Sequence, residues 1–181
     1  LVGSEMCIRD RAVEALLDQL KPGDRLSVVA FANSAEVIVP NQVIKDTQSL
    51  KSQIRNNLSA NGGTLIAEGL QLGITEMLKG TKGTVSQAFL LTDGHGENGL
   101  RIWKWEITPD DNKRCLELAY KATRLNLTIN TLGFGNGWNQ DLLEKIADVG
   151  GGTLAHIEHS EQAVEQFSRI FRRIQSVGLT N

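Results

Sequence analysis

Cysteine is nearly missing from this chain: Cys7 and Cys115 are the only two in 181 residues, too few for a disulfide framework or a cysteine-rich zinc site. An excess of basic charge is also missing. With 19 Lys and Arg against 21 Asp and Glu, a formal charge of −2 and a pI near 6.0, the composition offers nucleic acid or an anionic membrane surface no electrostatic handle. No apolar run approaches the roughly 18–20 residues that a membrane-spanning helix needs. There is no G-x-S-x-G nucleophile elbow and no serine with a histidine and an acid in sequence context. GFGNG (133–137) has neither the lysine of a phosphate-binding loop nor the G-x-G-x-x-G spacing, and reads as a strand-to-helix turn. His95 has no cysteine or second histidine at ligand spacing and reads as a solvated loop residue, while His156 and His159 read as a surface pair at a strand end. Neither an internal repeat nor a low-complexity linker is visible.

What the chain does have is 40% hydrophobic residues in a length that suits one domain with a sizeable core. Ala12 to Leu20 carries apolar residues at helical spacing, and Lys21-Pro22-Gly23-Asp24 stops it. RLSVVAF (25–31) and EVIVP (36–40) read as two strands joined by a tight connection at Asn33-Ser34. Thr47 to Leu58 reads as a surface helix whose narrow apolar stripe is Leu50, Ile54 and Leu58. Further helices are expected over residues 65–78, 111–125, 139–149 and 160–176, and further strands over 86–92, 127–135 and 153–158. Asn139 is placed to cap the helix that follows it, and Asp141 to favour that helix's positive end. Such alternation predicts an α/β, doubly wound, mostly parallel sheet with helices on both faces, because parallel strands need long crossovers and helices supply them.

Two loops then stand out. SANGGTLIAEGL (59–70) puts Gly62, Gly63 and Thr64 at the mouth of a helix, and SQAFLLTDG (86–94) ends a buried strand on Asp93 and Gly94. In open α/β sheets the ligand crevice lies beyond the carboxyl ends of the strands, so oxygens from two such loops can meet there. Each residue also has a plainer reading, Thr64 as a helix N-cap and Asp93 as a turn residue before glycine.

In this order and at these separations, AVEALLDQL-KPGDRLSVVAF, GGTLIAEGL, FLLTDG and INTLGFGNGWNQDLLEKIADVGGG resemble the von Willebrand factor A domain, from about Ala12 to Ile174. The resemblance implies a doubly wound fold and a metal-ion-dependent adhesion site, where a bound divalent cation completes its shell with an acidic group from a partner protein. It implies that Thr64 and Asp93 are metal-site residues, supported by the loop residues Gly62, Gly63 and Gly94. Mg²⁺, or Mn²⁺, suits such a site because it takes six oxygens in near-octahedral geometry, keeps several waters and accepts an external carboxylate.

The chain departs from the family pattern at one place. The family's first strand ends in an Asp-x-Ser-x-Ser loop, upstream of the helix that holds AVEALLDQL, and nothing in residues 1–11 supplies it. LVGSEMCIRDR resembles a translated sequencing adapter, so residues 1–11 are expected to be a non-native segment, residues 12–176 the domain and 177–181 a tail. The central first strand is then expected to be lacking, with residues 1–11 either leaving the fold weakened or extending the first helix beside the gap. Metal binding is expected to be weak or absent.

The reading of the sequence is a protein-binding module, not an enzyme, that captures an acidic group of a partner through a cation, with the site incomplete. Two alternatives stay open: a metal-assisted phosphoryl-transfer or hydrolytic enzyme on a similar sheet, and an assembly domain with a vestigial metal site. The second would use the insertion-like stretch 94–112, in which Trp103 and Trp105 alternate onto one side of an extended segment. They would be partner contacts there, or else cover the domain's own core.

Overall fold

A computed structural model describes residues 2–58, 64–80, 84–92, 111–135, 137–159 and 161–178, with side chains described outside 2–8 and 173–178. Helices and strands alternate through them: α1 (Val2–Gln19), β1 (Arg25–Phe31), β2 (Ala35–Val43), α2 (Thr47–Asn57), α3 (Ile66–Met77), β3 (Ser86–Thr92), α4 (Asp111–Arg124), β4 (Leu127–Phe134), α5 (Gln140–Val149), β5 (Gly151–Ile157) and α6 (Gln162–Gly178).

Local chemistry explains most of the boundaries. The turn after α1 closes with the Asp24 carboxylate accepting from the Lys21 amide at 2.8 Å, and Gly23 takes φ +99°, which a side chain would resist. Asp46 caps α2, its carboxylate accepting from the amides of Gln48 and Ser49. Asn139 caps α5 as expected, accepting from the Leu142 amide at 3.1 Å. Two elements are longer than the sequence pattern suggests. α1 reaches back to Val2, so residues 2–11 extend the helix. β2 runs past Pro40 to Val43, because it is an edge strand where the missing proline donor costs no ladder bond, and the register slips beside it, between Leu26 and Val28 of β1.

The strands form two separate sheets. β1 and β2 pair antiparallel, whereas β3, β4 and β5 pair in parallel in that order. Among the described residues no strand pairs with the second edge of β1 or of β3.

Two helices bridge the parts, one on each face. α3 contributes Ile66, Ala67, Leu70 and Ile74 to a core cluster with Leu90 of β3, Ile129 of β4 and the helices α4 and α5, and Phe31 of β1 packs on the same cluster. On the other face α1 sends Ala12 and Ala15 into the cluster of β4, β5 and α6, and Leu17 into that of β2 and α2. Each fully buried Leu or Ile in these clusters is worth about 1.5–3 kcal/mol, so α1 and α3 do much of the work of joining the sheets.

Candidate functional site

The site is built at one end of α3. β1 runs toward the start of this helix: the Leu65 amide donates to the carbonyl of Ala32, one residue beyond β1, at 2.9 Å. At the helix's other end the Asn41 amide, near the beginning of β1 in the antiparallel ladder, donates to Glu76 Oε2 at 2.9 Å. α3 therefore runs antiparallel to β1 and, packing also on β3, leads back to the start of that strand. β1 thus delivers its carboxyl end to the amino end of α3, and Leu90 of β3 packs in the same core cluster as this helix.

Thr64 stands there, half-buried, immediately before Leu65. The plainer reading of Thr64 does not hold, since the N-cap position is Leu65, which makes no side-chain cap bond, and the Ile66 amide turns back to the Thr64 carbonyl at 3.2 Å. Among the described residues the Thr64 hydroxyl is left out of the helix's own hydrogen bonding. β3 ends at Thr92, 3% exposed and aligned with Gly133 of β4. Asp93, the next residue in the chain, lies outside the described residues, as do Gly62, Gly63, Gly94, His95, Trp103 and Trp105.

One residue of this region carried no site signal in the sequence. Asp111, the first residue of α4, is 7% exposed and accepts from the Ala67 amide through both carboxylate oxygens, at 3.3 and 3.5 Å. It supplies the acceptor that Leu65 cannot offer to the orphan amides of α3. The Cys115 thiol lies 3.9 Å from Asp111 Oδ2. Burial pushes the Asp111 carboxyl above the usual carboxylate range; the amides of Ala67 and Ile66 and the guanidinium of Arg114 pull it back, and Glu68 pushes it further up. An aspartate opening a helix after Pro109 looks in sequence like an ordinary first-turn acid, and nothing local shows that its partner is another helix 44 residues away.

Beside this region the ends of β4 and β5 are closed by side chains. The Trp138 indole occupies the space that a side chain at Gly133 would need. Its ring lies 5.0 Å from that of His156, whose Nε2 is 3.1 Å from the Gly135 carbonyl. His156 is thus engaged with the GFG turn, more than the surface reading of it implied. Among the described residues there is no group of three or more His, Cys, Asp or Glu that could hold a metal ion, and no helix is long and apolar enough to cross a membrane.

The family model for the von Willebrand factor type A domain matches residues 8–170. The uncharacterized protein sll0103 of Synechocystis is 44% identical over 170 residues, which are 94% of this chain and 38% of that protein. The chain therefore spans well under half the length of this relative. Among solved structures, a von Willebrand factor type A protein from Catenulispora acidiphila is similar with a TM-score of 0.71 at 26% identity, covering 90% of this chain and 36% of that one. Proximal thread matrix protein 1 of the mussel byssus, in a form described as having a zinc-occupied metal-ion-dependent adhesion motif, is similar in fold. Its TM-score is 0.68 at 18% identity, covering 90% of this chain and 41% of that one.

Proposed function

The chain belongs to the von Willebrand factor type A domain family, and on that premise we propose that it is a protein-binding module that captures an acidic group of a partner protein through a divalent cation, Mg²⁺ or Mn²⁺. Thr64 and Asp93 hold the ion or its waters, and Gly62, Gly63 and Gly94 let the two loops approach it without side chains in the way. The observation that carries this reading is the place of Thr64: the next residue, Leu65, bonds through its amide to Ala32 just beyond β1, and among the described residues no side chain of this segment caps the helix that follows. A mussel protein of the same fold is described with a zinc-occupied metal-ion-dependent adhesion motif, which supports a divalent cation here.

The donors available fit an ion that keeps much of its water. Thr64 offers one neutral oxygen, and the buried Asp111 carboxylate is committed to the Ala67 amide. Asp93 adds one charge, and no Asp-x-Ser-x-Ser loop completes the set. A cation held so sparsely binds weakly and leaves coordination positions for an external carboxylate.

Calorimetric titration is expected to find Mg²⁺ and Mn²⁺ binding no tighter than about millimolar, and a submillimolar site would show the set to be complete after all. Paramagnetic broadening by Mn²⁺ is expected to centre on the amides of residues 64–67 and to fade in Thr64→Ala. Broadening that is centred elsewhere, or indifferent to that substitution, sinks the cation reading.

A further inference from the structure

We propose that the carboxyl end of α3, with the chain ends gathered around it, is a docking surface for an anionic membrane, where apolar side chains dip into the headgroup layer and cations meet the lipid phosphates. Among the described residues seven large hydrophobic side chains are exposed, and six of them, Val43, Leu78, Val85, Tyr120, Leu125 and Val149, share this end of the molecule. The seventh, Val164, lies at the start of α6.

Printed bonds bring the six together. Asn41 donates to Glu76 Oε2 at 2.9 Å and to the Glu76 carbonyl at 3.1 Å, which ties the last turn of α3, with Leu78 just beyond it, to the end of β2 that carries Val43. Asp111 meets Ala67 and Arg114 meets Gln71, so α4 runs parallel to α3 and its carboxyl end, with Tyr120, lies toward the same side. Leu125 follows α4 directly, and Val85 precedes Ser86, which is aligned with Leu127 of β4. The Thr123 hydroxyl donates to the Val149 carbonyl at 2.6 Å, which adds the end of α5.

The net charge of −2 averages away a local excess of cations at this end. The loops of Lys21 and Lys45 are held together where the Ile44 amide donates to the Asp24 carbonyl at 2.8 Å. Lys79 follows Leu78, Lys121 follows Tyr120, and Arg124 precedes Leu125. Of the nearby carboxylates, Asp24 accepts from the Lys21 amide, Asp46 caps α2 and Glu76 is buried against Asn41 and Lys79, so that Asp148 is the exposed one. Among the described residues Lys21, Lys45, Lys121 and Arg124 form no ion pair with a carboxylate.

The arrangement of these groups favours lipid over protein. A protein interface keeps its charges at the rim and depletes lysine from an apolar centre, whereas here cations and apolar side chains alternate, neighbour by neighbour. Such interleaving suits a headgroup layer, in which phosphates and acyl boundary lie within the reach of one side chain. The amino end of α3, with Thr64, is the opposite end of that helix and faces away from a membrane docked in this way.

The test is flotation of the whole chain with phosphatidylcholine vesicles that do or do not contain about 25% phosphatidylglycerol. Binding is expected on the anionic vesicles only and is expected to fade as salt rises from about 50 mM to about 500 mM. Lys121→Gln combined with Arg124→Gln is expected to lower the bound-to-free ratio about tenfold. Lys113→Glu, the same change of charge near the start of α4, is expected to leave it near the wild-type value. Leu78→Ser combined with Val85→Ser is expected to weaken binding at unchanged charge; should that pair not fold, Tyr120→Ser takes its place.

No flotation with anionic vesicles at low salt overturns the proposal, and binding of polyglutamate in its stead would give this end to an acidic protein. An equal fall in Lys113→Glu also overturns it, since the attraction would then belong to the whole chain. Serine variants that float like wild type overturn it as well, because the apolar side chains would then not enter the lipid. None of these outcomes bears on the cation reading of Thr64 and Asp93.

Discussion

β4 and β1 invite comparison because their burial is the reverse of what their composition suggests. β4, LTINTLGF, includes Thr128, Asn130 and Thr131, yet every position but Thr128 is buried. β1, RLSVVAF, is mostly apolar and has no buried residue at all. The difference lies in the neighbours. β4 has β3 on one edge and β5 on the other, with α3, α4 and α5 over one face and α1 and α6 over the opposite one. β1 has β2 on one edge and no strand on the other among the described residues. How deep a strand lies is decided by what pairs with it, and hydrophobic content only makes burial favourable when partners are present.

The polar residues of β4 show the same thing from inside. Asn130 sits where the β4–β5 register slips, between Ile129 and Thr131. Its amide group donates to Gln87 Oε1 at 2.8 Å and to the Ala88 carbonyl, while its oxygen accepts from the Thr153 amide at 3.1 Å. One side chain thus serves the ladder on both sides of the irregularity. Thr131 donates to the Leu143 carbonyl of α5 at 3.0 Å. Polar groups are tolerated this deep because each finds partners that replace water.

If the three-stranded sheet is the rigid half and the β1–β2 pair the compliant one, small insertions should separate them. The largest effect is expected from Gly152→Ala, whose new Cβ would overlap the Ile129 carbonyl of β4 and lie 3.0 Å from the Asn130 amide nitrogen. That wall is backbone held on both edges, and the expected loss exceeds about 4 kcal/mol in urea unfolding. A loss below about 1 kcal/mol, within the range of ordinary surface changes, would show that β5 slides freely on β4.

Gly69→Ala is the counterpart on the other side, and a smaller loss of about 1–3 kcal/mol is expected. Its Cβ would meet the Phe31 ring of β1 at 2.6 Å, but Phe31 is only half-buried on a strand with one paired edge, so the ring can turn away. Should Gly69→Ala cost as much as Gly152→Ala, the two halves are equally rigid and the contrast fails.

Much of this architecture could be read from the residues. β3 occupies residues 86–92 as the apolar run SQAFLLT suggests, and Asn139 caps α5, because both depend on signals within a few positions of each other. Thr64 was legible as a residue of interest, since two glycines before an apolar helix mark a loop. The exposure of β1 was not legible, nor was the role of Asp111. Each is set by a partner, or the want of one, that lies far away in the chain, and local periodicity carries no trace of it.

The smallest effects are expected at the two ends of α3, where two buried carboxylates titrate in opposite directions. Glu76, 2% exposed, is held below the usual range by the Lys79 ammonium and the Asn41 amide, whereas burial lifts Asp111 above it. A lowered carboxyl binds fewer protons folded than unfolded, so Glu76 stabilises the protein above the ordinary glutamate range and loses that contribution as pH falls through its folded value. Glu76→Gln is therefore expected to cost about 1 kcal/mol near neutrality, with the gap to wild type closing in acid. Asp111 works the other way: stability present below the ordinary aspartate range is lost as pH rises through its raised folded value. Asp111→Asn should thus compare best with wild type at neutral pH and worst in acid, where the native carboxyl is already neutral. Unfolding curves collected across the acid range give both slopes in one series. Parallel pH profiles for the two variants would mean that the ends of α3 are electrostatically alike, and that the anchoring of its amino end by Asp111 costs nothing in desolvation.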